Sequence, residues 1–191
     1  MYIFLFAVII TTPINTVISR YIADRLFEEE FEDILPSFYT GLLLCLGVGT
    51  LLSVPFIIRL VVVGNVEIVF ATWIYVLFAA VLTAFFAMTY LTATKDYRLI
   101  AIDFIVGMVT AVIWAVVGTN VFQVEIIYAI MSALAIGFSV IALMLVAYVK
   151  HYFRDANENY FGCFSYFMNM KRLFFGSLLY VLGIYVHNFI F

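Results

Sequence analysis

Long apolar runs separated by short polar connections set the pattern of this chain. The runs cover residues 1–19, 37–62, 66–93, 99–118, 124–149 and 173–191. Each approaches the roughly 20 residues that a helix needs to cross the hydrocarbon core of a bilayer. In lipid, a helix satisfies all its backbone groups within the segment, so helices are the elements predicted. The sixth run reaches Phe191 without a polar flank. The fold class predicted is an all-α membrane protein, a polytopic bundle of about six transmembrane helices.

The polar connections are not equivalent. Those after the first, third and fifth runs hold Arg20, Arg25, Lys95, Arg98, Lys150, Arg154, Lys171 and Arg172, and the opposite side holds Arg59 alone. Basic residues stay on the cytoplasmic side. Loops 20–36, 94–98 and 150–172 are therefore predicted to be cytoplasmic. The first helix then enters from outside with no helix before it, which predicts that the chain lacks its true beginning. The unflanked sixth run predicts a cut end in the same way.

Composition sharpens this picture. Apolar residues make up 67% of the 191 and charged residues 11%, and the mean hydropathy is +1.19. The net charge of −3 comes largely from Glu28-Glu29-Glu30-Phe31-Glu32-Asp33, a run that reads as a solvated loop or helix face. No basic footprint points to nucleic acid. Cys45 falls inside an apolar helix and Cys163 in a cytoplasmic loop, so no disulfide is predicted. His151 and His187 are not at ligand spacing, and no metal or other cofactor is expected.

Breaks and polar groups mark the helices of interest. Pro13 lies mid-span in the first helix, and Gly41, Gly47, Gly49 and Pro55 lie in the second. Proline removes a backbone hydrogen bond, and small residues permit close helix approach. These features fit either packing or a bending helix beside a cavity. Thr12, Asn15, Thr16 and Ser19 share one face at spacings of three and four. That face either lines a hydrophilic cavity or bonds to a neighbouring helix. Asp103, about one turn into the fourth helix, is a further cavity-lining candidate; pairing with Lys95 or Arg98 is the alternative. Residues 150–172 interleave Tyr152, Phe153, Phe164, Tyr166 and Phe167 with charges, the pattern of an interfacial helix on the cytoplasmic leaflet.

Catalytic chemistry is not indicated. The acids sit mostly at helix ends and do not converge, and the sequence holds no Walker motif, GxGxxG or HExxH. The chain reads as a non-enzyme. If it transports, an ion gradient or a partner drives it.

Several segments resemble one family. Ile14-Asn15-Thr16-Val17-Ile18-Ser19-Arg20-Tyr21-Ile22-Ala23-Asp24-Arg25-Leu26-Phe27 is similar to a helix end and first cytoplasmic loop of the Pel exopolysaccharide export family, PelG. Lys95-Asp96-Tyr97-Arg98 with Ile102 to Gly107, and Leu179-Tyr180-Val181-Leu182-Gly183-Ile184-Tyr185-Val186, resemble later segments of it in the same order. His187-Asn188 departs from a charged pair usual there. Arg20, Tyr21, Asp24 and Arg25 match the family motif, which the resemblance puts on a cytoplasmic loop.

The resemblance implies a flippase of the multidrug/oligosaccharidyl-lipid/polysaccharide superfamily, built as two helix bundles around a cavity and working by alternating access. Residues 1–149 would be the first bundle without its first helix, 150–172 a cytoplasmic linker, and 173–191 the start of a second bundle. The implied function is export of a Pel-like exopolysaccharide across the bacterial inner membrane. A flippase for a lipid-linked sugar and a non-transporting scaffold of a polysaccharide synthase are the alternatives. Implied partners are the lipid bilayer, the polysaccharide or lipid-linked sugar, a cytoplasmic glycosyltransferase and other membrane subunits.

Overall fold

The computed structural model describes residues 2–153 and 162–186. Among them are seven α-helices and no strand: α1 (Tyr2–Phe27), α2 (Ile34–Val62), α3 (Ile68–Ala93), α4 (Tyr97–Asn120), α5 (Ile126–Tyr152), α6 (Gly162–Asn169) and α7 (Lys171–Tyr185). The first five are long and apolar enough to cross a membrane. The chain is thus a multi-pass, all-α membrane bundle. Of the sixth predicted span, Lys171–Tyr185 is helical and 187–191 lie outside the described residues.

Several boundaries differ from expectation, each for a local reason. α1 continues past Ser19 to Phe27. The stretch Arg20–Phe27 contains neither glycine nor proline and includes Ala, Arg and Leu, which favour helix. Arg20, Tyr21, Asp24 and Arg25 therefore sit on a helix and not on a loop. α2 begins at Ile34 and takes Pro36 into its first turn, where a missing N–H costs nothing. Tyr97 and Arg98 belong to α4, and α5 keeps its helix through Tyr152. Cys163, expected in a loop, lies buried on α6. Predicted loop residues 154–161 lie outside the described residues.

The connections are tight and use residues in the left-handed region: Glu29 (φ 61), Asn65 (φ 50), Lys95 (φ 61) and Gln123 (φ 50). Asn tolerates that conformation through local hydrogen bonding, whereas the other three bear a β-carbon penalty. The acidic run folds back on α1. Arg25 pairs with Glu28 at 3.0 Å, with Glu30, and with Asp33 at 3.9 Å, and its guanidinium stands 5.3 Å from the Tyr21 ring. The run is thus the turn that fastens α1 to α2.

Small residues decide which helices touch. A Cβ at Gly41 would meet Ile18 and Phe86, and one at Gly49 would meet Leu82; Gly47 faces open space. Of the predicted close-contact glycines in α2, Gly41 and Gly49 serve that purpose and Gly47 does not. α4 and α5 cross at Gly107 and Gly137, each lying against the other's carbonyl. α3 and α5 form the centre, α1 and α2 pack on α3, and α4 packs mainly on α5. Helices α1 and α2 run unbroken through Pro13 and Pro55.

The core is aliphatic and aromatic, with Phe38, Phe86 and Tyr90 clustered at its heart in edge-on and tilted contacts. Polar groups of α3 are used for packing. Tyr90 shares a hydrogen bond with Ser37 at 3.1 Å, and Tyr75 with Thr50 at 3.3 Å. Two tyrosines of α5 tie its ends to neighbouring carboxylates. Tyr128 donates to Glu67 at 2.5 Å, and Tyr152 donates to Asp96 at 2.6 Å.

Candidate transport route and its latch

α1 carries polar side chains through an apolar span, and their bonding is specific. Thr12 donates its hydroxyl to the Val8 carbonyl at 2.7 Å, and Thr16 to the Thr12 carbonyl at 2.8 Å. Each threonine oxygen has spent its proton on its own helix and keeps lone pairs for an outside donor. Asn15 donates from Nδ2 to the Phe85 carbonyl on α3 at 3.2 Å. Its Oδ1 is buried with no partner. Thr12, Asn15 and Thr16 are half-buried and Ser19 is exposed. The stripe is therefore a row of acceptors.

Its position follows from helical spacing. Leu5 and Ile9 pack against Val181 of α7. Thr12 and Thr16, at spacings of three and seven from Ile9, continue the same face. Asn15 stands at the side of the stripe that meets α3. The polar row thus borders the seam between α1 and α7.

Asp103 does not join this row. It lies on α4, which packs mainly on α5, and is fully buried with no hydrogen-bond partner on either oxygen. The expected pairing with Lys95 or Arg98 is absent, since the ion pairs among the described residues all involve Arg25.

At the end of the bundle that carries the basic residues, the motif of α1 holds α6. The Tyr166 hydroxyl donates to the Asp24 carboxylate at 2.5 Å, and its ring meets Tyr21 edge-on at 5.2 Å. Burial, then the Asp24 carboxylate, push the Tyr166 hydroxyl up to about 12, with Arg20 pulling the other way. It therefore remains a donor at any physiological pH. Cys163, one turn earlier on α6, is buried, and burial pushes its thiol up to about 11. Arg20, Tyr21, Asp24 and Arg25 thus split their work. Arg20, Tyr21 and Asp24 hold α6, while Arg25 gathers the α1–α2 turn. Sequence reasoning found the motif but not this partner, because Tyr166 lies 142 positions from Asp24. The aromatic richness of 150–172 was the available signal.

Among the described residues no cluster of His, Cys, Asp and Glu has the makings of a metal site. His187-Asn188 lie outside the described residues. An apolar cleft of about 230 Å³ opens between α1, α2 and α3 beside Tyr2, Phe6, Phe56 and Tyr75; it does not include the polar stripe.

Comparison with known protein families gives a match over the whole chain. The model of the PelG family, described as "Putative exopolysaccharide Exporter (EPS-E)", matches residues 1–191. No curated protein and no solved structure matches.

Proposed function

The chain belongs to the PelG family of exopolysaccharide exporters, and from that premise we propose that it forms part of an alternating-access exporter in the bacterial inner membrane. The basic end, with Arg20, Lys95, Arg98 and Lys150, faces the cytoplasm. Helices α1 to α5 belong to a first bundle spanning 1–149, residues 150–172 are the linker, and α7 opens a second bundle. The polymer, a Pel-like chain of amino sugars, passes along the seam between α1 and α7. A cytoplasmic glycosyltransferase and other membrane subunits supply it at the basic end.

The acceptor row on α1 is the observation that carries this reading. Sugars present hydroxyl donors, and amino sugars add amine or amide N–H groups. Thr12, Asn15 and Thr16 offer oxygens while their own donors are occupied, and Ser19 adds an exposed hydroxyl. A series of weak acceptors holds a sliding polymer without trapping it, each hydrogen bond contributing about 1 kcal/mol net.

Mutating the row in the full exporter tests this. Asn15→Leu with Thr16→Val removes two acceptors while keeping shape, so secreted polymer should fall roughly tenfold or more at unchanged membrane insertion. Secretion equal to wild type would count against the route.

A further inference from the structure

Asp103 is the electrostatic anomaly of the bundle. It lies six residues into α4 from Tyr97, about 9 Å along the axis. Its side chain is 0% exposed, and neither oxygen has a hydrogen-bond donor. The face it occupies turns toward α5. One turn further along, Gly107 stands against Ile141 and the Gly137 carbonyl. Toward the basic end, α5 continues this seam with Leu145 and Val149, both fully buried.

Among the described residues no cation compensates Asp103. On α5, the titratable groups of this half are Tyr148, Lys150, His151 and Tyr152, all in its last turns, with Tyr152 committed to Asp96. α3 carries no acid or base besides Tyr75 and Tyr90, which bond to α2. On α4 itself, Tyr97 and Arg98 are exposed, and Lys95 precedes the helix. An ionised carboxylate buried without a partner costs several kcal/mol. A proton removes that cost alone. A sodium or calcium ion would require several oxygens arranged around it, and this seam supplies one carboxyl group between aliphatic walls.

We propose that Asp103 is a proton-binding site that governs the α4–α5 seam, and through it the export cycle. With its proton on, the side chain is neutral and the seam closes over it. When the seam admits water at the basic end, the carboxyl O–H bond breaks, the proton passes to that water, and the carboxylate remains hydrated. Reprotonation returns the closed form. Proton release and seam opening are one linked step, so a pH difference across the membrane biases the cycle. The protonation stands on the geometry alone; its use in export rests on the function proposed above.

Infrared spectroscopy of the full exporter in lipid bilayers tests the first part. The carbonyl band of a protonated carboxylic acid should be present at neutral pH in the wild type and missing in Asp103→Asn. No difference between them would show an ionised Asp103 and overturn the proposal. Loss of the wild-type band on adding sodium would assign a metal cation instead and overturn it as well. Export in cells tests the second part. Asp103→Asn cannot release a proton, so polymer secretion should drop at least ~tenfold, equivalent to about 1.4 kcal/mol, and what remains should ignore collapse of the pH gradient. Asp103→Glu keeps a titratable group and should retain the gradient response. Wild-type secretion and gradient response in Asp103→Asn would overturn the coupling. The infrared result is independent of export, so failure of the export function would not be mistaken for failure of the proton site.

Discussion

Gly107→Ala will destabilise the exporter sharply, whereas Gly118→Ala on the same helix will not. A Cβ at Gly107 would stand 2.2 Å from Ile141 Cγ1 and 2.8 Å from the Gly137 carbonyl oxygen. Ile141 can rotate, but the Gly137 backbone cannot move without displacing α5. Gly137→Ala meets the same wall, at 2.7 Å from both the Ala111 Cβ and the Gly107 oxygen. At Gly118 the nearest atom is the Ala129 Cβ at 3.5 Å, an ordinary contact. Overpacking costs about 1–3 kcal/mol where a core can adjust. Here α4 has little else to hold it, because its other faces look outward. Thermal unfolding in detergent should show a fall of several degrees for Gly107→Ala and Gly137→Ala, at roughly 2–4 °C per kcal/mol for a chain of this size. Equal midpoints for Gly107→Ala and Gly118→Ala would mean that the crossing is looser than the structure has it.

Breaking the contact between Tyr166 and Asp24 should free α6, and Cys163 reports it. The thiol is 1% exposed in the docked helix, so a water-soluble thiol reagent reaches it only when α6 lifts. A hydrogen bond to a charged group contributes about 1.5–3 kcal/mol. Tyr166→Phe keeps the edge-on contact with Tyr21 and removes only that bond. Labelling of Cys163, in a Cys45→Ala background, should therefore quicken roughly ten- to hundredfold, at tenfold per 1.4 kcal/mol. Asp24→Asn should act in the same direction by a smaller factor, since a neutral acceptor remains. An unchanged labelling rate in both variants would show that apolar packing alone seats α6.

The features legible in the sequence were those with a one-dimensional signature. Apolar runs of membrane length gave the five spans, because burial in lipid demands length and composition rather than particular partners. The threonines and Asn15 of α1 stood out by spacing, and the structure does set them along one side of the helix. Contacts distant in sequence left no such trace. Nothing near Asp24 points to Tyr166, and nothing near Arg25 distinguishes a solvated acidic run from one folded onto a guanidinium. Helix ends were misjudged where hydropathy fell before helical propensity did, as at Arg20–Phe27. The connections at Lys95 and Gln123 were legible as breaks between apolar runs, but which residue turns the chain was not, because the residue that adopts the left-handed conformation is not the glycine that would announce it. For Asp103, the sequence showed an ionisable group in a span; its lack of any partner emerged only from the packing of α4 on α5.

The route along α1 is tested most directly by where water reaches. Single cysteines at Thr12, Thr16 and Ser19, in a background with Cys45→Ala and Cys163→Ala, are placed on the acceptor row of the full exporter in membranes. Ile105→Cys and Val112→Cys on the exposed outer face of α4 serve as lipid-facing controls. A membrane-impermeant thiol reagent reacts with the thiolate, which forms only where water enters. The account predicts labelling at all three α1 positions, slowed when polymer fills the path, and none at Ile105 or Val112. Equal silence at Thr12, Thr16 and the α4 controls would contradict it and leave the threonines as packing groups in a dry seam.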